Sequence, residues 1–224
     1  MARMTLDDFA KRLGSALGSD LVSLLLYGSA ARGTGSGSRE PETVNTLLIV
    51  RQQAGLFDRL VDAVQAWTKA GHPAPLIITE QEWRDSVDAF PIEYEDIRAA
   101  HRVLAGKDPW SGIRVRPEDA RRQLEHELMG KLMHLRQAYA AAWGKPKRLA
   151  EIVRGTRAGF LTMLRAVLRV SGRQAPPSDE ALVREAAALI GFAATEGGLT
   201  EPVAYLDAVT RTAAYVDHLE RTDS

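Results

Sequence analysis

The chemistry open to this chain is set by a few residue types. There is no cysteine, which excludes disulfides, thiolate metal sites and cysteine nucleophiles. Five histidines are present, but the nearest useful pair, His126 and His134, stands eight apart and not at the i, i+4 spacing of a helical zinc motif. Phosphate and carboxylate chemistry remain. The apolar run Leu21 to Tyr27 ends in Gly28-Ser29. A glycine there lets the backbone pass close to a phosphate, and a serine hydroxyl with the amides that follow it can bind phosphate oxygens where a helix begins. Glu93 and Glu95 would point to one side of an extended segment, because side chains alternate faces along a strand. Solvation, or pairing with arginines, accounts for the same two acids without any chemistry.

Two further groupings invite a functional reading and have a plainer one. Gly33-Thr34-Gly35-Ser36-Gly37-Ser38 is glycine-rich like a phosphate loop, yet lacks the Gly-Lys-Ser/Thr ending that brings a lysine and a hydroxyl to phosphate and magnesium. A flexible insertion is the better account. Arg154, Arg157, Arg165 and Arg169 lie close to one stripe of a predicted helix. That stripe could grip phosphate or nucleic acid, but no aromatic residues are interleaved for base stacking, and a solvated or acid-paired face is the default.

Stepping outward, Leu6, Phe9, Leu13 and Leu17 repeat at three to four, with Thr5 placed to cap, and predict a helix ending near Gly18. Leu21–Tyr27 and Thr43–Val50 read as strands, Leu56–Trp67 as an amphipathic helix, and Leu76–Thr79 as a third strand followed by a short helix near 81–86. Phe90 to Ile97 alternates Ile92 and Tyr94 against Glu93 and Glu95, which favours an extended segment over a helix running into His101. Arg102 to Leu104 would be a final edge strand. From Pro117 the texture changes. Leu124, Leu128, Leu132, Leu135 and Tyr139 hold a helical period for about four turns, with Pro117 at the start. Helices are further predicted at about 147–171, 178–195 and 200–221. The fold class expected is therefore α+β followed by all-α: a mixed sheet flanked by helices over residues 1–112, and a helical bundle over 113–224.

At 224 residues and 45% hydrophobic composition, the chain has enough apolar surface for a proper core. No stretch approaches the roughly 20 apolar residues of a membrane helix, and the N-terminus lacks the apolar run of a targeting signal. A soluble, cytoplasmic protein without a membrane partner is the expectation. The net charge of zero hides a segregation: residues 1–109 carry 12 basic and 15 acidic groups, 110–173 carry 14 and 5, and 174–224 carry 3 and 9. A basic middle segment could attract phosphates or an acidic partner, or simply pack beside the acidic helices that follow.

The phrase Leu24-Leu25-Leu26-Tyr27-Gly28-Ser29-Ala30-Ala31-Arg32-Gly33, followed by Thr43-Val44-Asn45-Thr46-Leu47-Leu48-Ile49-Val50 with thirteen residues between Ser29 and Thr43, resembles the signature of the polymerase-β-like nucleotidyltransferase superfamily. Phe90 to Pro109 is similar to the end of the catalytic domain of bacterial nucleotidyltransferase-like proteins, and Glu127 to Gln137 to their first bundle helix. The resemblance implies a nucleotide-binding site at Gly28, Ser29, Arg32, Thr43 and Asn45, with Mg²⁺ and a nucleoside triphosphate as cofactors of an active enzyme. It also implies two acids at the positions held by Thr43 and Asn45. A hydroxyl and a carboxamide are neutral and cannot offset the charge of Mg²⁺, so metal affinity should fall steeply. Glu42 points to the opposite face of a regular strand, and Glu40 precedes Pro41 in a loop, so neither replaces the missing pair well. Members of the superfamily often use a third acid as base for the incoming hydroxyl, a role for which Glu93 or Glu95 would be the catalytic candidates.

Three functions follow from this reading. The first is a nucleotidyltransferase-fold protein impaired in catalysis that binds nucleotide or phosphate, or acts in regulation. The second is an active Mg²⁺-dependent transferase modifying a small hydroxylated compound or a protein. The third is a structural or partner-binding protein with a vestigial cleft, for which a homodimer is compatible. A nucleic-acid partner is not expected.

Overall fold

The structure, a computed structural model, describes residues 4–33, 44–194 and 199–219. Among these residues the chain forms nine α-helices and a four-stranded mixed sheet, an α+β fold rich in helix. It divides into two compact units, Met1–Asp88 with Tyr94–Arg114, and Ala89–Glu93 with Val115–Ser224.

The first unit opens with α1 (Leu6–Leu17), started by a capping box in which the Thr5 hydroxyl accepts from the Asp8 N–H and the Asp8 carboxylate accepts from Thr5. Strand β1 (Leu21–Tyr27) follows over the predicted span. After the one-turn α2 (Ser29–Arg32) come β2 (Asn45–Val50), α3 (Leu56–Lys69), β3 (Leu76–Thr79), α4 (Glu80–Asp85), α5 (Pro91–Ala99) and β4 (His101–Gly106). The strand order is β3-β2-β1-β4. β1 is central and antiparallel to both β2 and β4, while β3 runs parallel to β2 and needs α3 as its crossover.

Strand alternation gives the sheet two faces. Leu24, Leu26, Leu48 and Val50 enter a core with Phe9, Leu13 and Leu17 of α1 and Leu56, Leu60 and Trp67 of α3. Phe9 stacks on Trp67 with ring centroids 4.4 Å apart, which pins the two helices over the same patch of sheet. Leu25, Leu47 and Ile49 point the other way and are also fully buried. α4 packs against β2 and β3, and its Trp83 stacks on Tyr94 of α5 at 4.1 Å.

The extended segment expected at 90–97 is a helix. Pro91 occupies its first position, where the fixed φ suits a helix and the missing N–H is no loss. The next amide, Ile92 N–H, donates to Gln123 Oε1 at 3.0 Å. Buried positions then recur at Ile92 and Asp96 and at Tyr94 and Ile97, the spacings of helix faces. Two residues apart on a helix means roughly 200° of rotation, so Glu93 and Glu95 do not share a face.

The second unit comprises α6 (Pro117–Ala142), α7 (Pro146–Val170), α8 (Asp179–Ile190) and α9 (Pro202–Leu219). α6 packs on α7 and α9, and α7 also packs on α8. Leu124, Leu128, Leu132, Leu135 and Tyr139 are all buried, as the periodicity predicts. α8 is shorter than predicted. Gly191 adopts φ 87°, and its N–H returns to the Ala187 carbonyl at 2.8 Å, closing the helix with a left-handed cap.

Candidate functional site

Gly28 ends β1 with φ 80° and ψ −148°, a region essentially confined to glycine. Its own N–H donates to the Ala100 carbonyl at 3.1 Å, which ties the turn to the start of β4. Its carbonyl accepts from Ala31 and Arg32 N–H, both at 3.1 Å, and so launches α2. Ser29 is exposed at the first position of that turn of helix, in which the Ala31 and Arg32 amides are taken by Gly28 and the Ser29 and Ala30 amides have no intrahelical acceptor.

Asn45 is brought to the same point by register. It is directly opposite Tyr27 in the β1–β2 ladder, and its Nδ2 lies 3.7 Å from where a Cβ on Gly28 would stand. The contact is an ordinary one, so glycine is required at 28 by the backbone conformation rather than by lack of space. Of the predicted nucleotide-binding residues, Gly28, Ser29, Arg32 and Asn45 belong to this end of the sheet. Thr43 lies outside the described residues, as do Glu40, Glu42 and residues 34–38 of the glycine-serine stretch.

Arg32 reaches from α2 to an acid that sequence reasoning missed. Its Nη1 donates to Asp96 Oδ1 and Oδ2 of α5 at 3.3 and 3.4 Å, and both side chains are only 13% exposed. The Arg32 Nε is buried and carries no hydrogen bond. Asp96 also faces Tyr27, whose phenol is pushed above its ordinary range, chiefly by burial and further by the Asp96 charge. The signal for Asp96 was available only to a helical reading, which places it one turn after Ile92 on the inward face.

Glu93 and Glu95 are not brought together. Glu93 is exposed and accepts from Gln123 Nε2 at 2.8 Å, while Glu95 pairs with Arg98 of its own helix at 3.2 Å. In the bundle, Arg165 and Arg157 meet Asp179 of α8 at 2.8 and 3.7 Å. That part of the arginine stripe is acid-paired, and the basic middle segment here serves the acidic helix that follows it.

A divalent cation needs hard, charged oxygen ligands converging on one point. Here the described donors are the neutral carboxamide of Asn45 and the Asp96 carboxylate, already engaged by a guanidinium. These residues do not fit Mg²⁺, and among the described residues no three His, Asp or Glu side chains form a metal-binding group. They do fit an anion: a serine hydroxyl, open helix amides and an arginine stand within one turn of chain. No helix among the described residues is long and apolar enough to cross a membrane. Neither a protein-family model nor a curated protein sequence matches the chain.

Proposed function

We propose that the protein is a nucleotidyltransferase-fold module that binds a nucleotide or its phosphates and is impaired in nucleotidyl transfer. The observation that carries this reading is the pairing of Asn45 with the Gly28 turn. A neutral amide stands where the superfamily resemblance asks for a metal-binding acid, beside a glycine-serine turn suited to phosphate. Gly28 lets the phosphate approach, the Ser29 hydroxyl and the α2 amides bind its oxygens, and Arg32 supplies the charge a metal would otherwise provide. Asp96 positions Arg32 by holding Nη1 of its guanidinium, leaving Nη2 for the ligand.

An active transferase would draw its acids from Glu93, Glu95 or Glu40; the helical placement of Glu93 and Glu95 gives that reading no support, and Glu40 lies outside the described residues. A regulatory role fits a site that binds without turnover.

Isothermal titration with ATP and GTP, with and without Mg²⁺, tests the proposal. Saturable binding that is indifferent to Mg²⁺, with no pyrophosphate release, is the expected result. Binding that requires Mg²⁺ and is accompanied by turnover would overturn it.

A further inference from the structure

The sheet has a concavity at the end away from Gly28. A cavity of about 170 Å³ opens where β1 begins and β4 ends. Its apolar part is formed by Val22, Ile49, the Trp83 indole and Pro109. This wall is fixed in place. Trp83 is nearly inaccessible, its Nε1 donates to the Pro109 carbonyl at 3.1 Å, and Tyr94 stacks against it.

The polar part of the lining carries both signs of charge. Lys107 Nζ and Arg84 Nη2 both donate to Oε1 of Glu80, at 2.8 and 2.9 Å. The hydrogen bond from Lys107, helped by the charges of Lys107, Arg84 and Arg51, holds the Glu80 carboxyl below its ordinary range. Glu80 is therefore ionised at neutral pH and gathers two cationic heads at one side of the cavity. Asp108 supplies the other acid of the lining, and its Oδ1 is oriented by the Trp110 N–H at 3.1 Å.

Two cations, two carboxylates and an apolar floor favour a small ligand that itself carries both charges and an apolar tail. The volume is well below the roughly 300 Å³ at which drug-sized ligands begin, which restricts the occupant to a small metabolite. We propose that this cavity binds an aliphatic α-amino acid. Lys107 and Arg84 hold its carboxylate, Asp108 takes its ammonium, and its side chain lies on Val22 and Trp83. Charge-assisted hydrogen bonds at both ends fix the orientation, and burial of the side chain adds affinity. None of these residues belongs to the Gly28 site, so this inference stands or falls apart from the nucleotide reading.

The test is isothermal titration of the full chain with leucine and valine, and with two analogues of leucine, 4-methylpentanoate without the amine and 3-methylbutylamine without the carboxylate. Saturable binding of at least one amino acid is expected, with each analogue at least tenfold weaker. Arg84→Gln should weaken binding at least tenfold, and Ser111→Phe, which sets a ring against the cavity from an exposed position, should abolish it while the ligand-free melting temperature stays unchanged. The absence of binding by either amino acid would overturn the inference. So would equal binding of 4-methylpentanoate, or an Arg84→Gln protein that folds and binds leucine like the parent.

Discussion

A glycine closes each end of the sheet, and the two are required for different reasons. A Cβ on Gly106 would stand 2.3 Å from the Val22 carbonyl oxygen, inside the backbone of the neighbouring strand. Among the described residues, a Cβ on Gly28 would meet only the Asn45 amide, at 3.7 Å. The Gly106 end is therefore set by strand-on-strand packing, and the cavity beside it is walled by Ile49 of β2 and by Trp83 of α4, which the Pro109 carbonyl and Tyr94 hold in place. At the Gly28 end no described residue crowds the glycine. What holds that end together is charge, through Arg32 and Asp96, and the conformation of one residue.

The comparison can be broken by substitution. Gly106→Ala should be the most destabilising, by about 4 kcal/mol, since it adds a backbone clash to a positive φ of 81°. Chemical denaturation measures it, and a loss as small as that of Gly28→Ala would contradict the account. Asp96→Ala comes next. It strands a guanidinium that is 13% exposed, at about 3 kcal/mol, and should also loosen phosphate binding because Arg32 is no longer positioned. Gly28→Ala should lose about 2 kcal/mol from backbone strain alone, read in the same denaturation series. Thr79→Ala removes the hydroxyl that accepts the Glu82 N–H at the start of α4, at about 1 kcal/mol, and bears on the cavity end only.

Acid acts on the cavity end through Glu80. The folded-state pKa of Glu80 is lowered, so its ion pairs contribute stability above its unfolded value and lose it as pH falls through the lower folded value. Lys107→Met should flatten that part of an acid-unfolding profile. The bundle shows the opposite limb. Burial raises the Tyr139 phenol to about 12, so the folded chain keeps a proton that the unfolded chain releases near 10, and stability should fall between those values. Tyr139→Phe, followed by circular dichroism in alkali, should remove that fall.

Local pattern made much of the fold legible in advance. β1, α1 and the long α6 declare themselves by period, by the Thr5 cap and by Pro117, all of which act within a few residues. α5 misled because four residues of apolar and acidic alternation satisfy a period of two, while what makes the segment a helix lies partly elsewhere, in Gln123 and in the aromatic partners of Tyr94. Asp96 was invisible for a related reason. It matters through Arg32, 64 residues away, and no spacing rule connects them. The Gly28-Ser29 turn was readable because glycine leaves a mark in any strand ending, whereas Asn45 was singled out by the family resemblance alone, and its pairing with Tyr27 is a matter of ladder register that the sequence does not state.

The central claim is that a neutral residue at 45 leaves a phosphate site without a metal site. The direct measurement is ATP titration of the parent protein and of Asn45→Asp, each with and without Mg²⁺. Binding by the parent should be the same in both conditions, whereas the added carboxylate beside Gly28 should weaken ATP binding without Mg²⁺ and restore it when Mg²⁺ is present. A parent protein that binds ATP only with Mg²⁺, or an Asn45→Asp variant that behaves like it in every condition, would contradict the account.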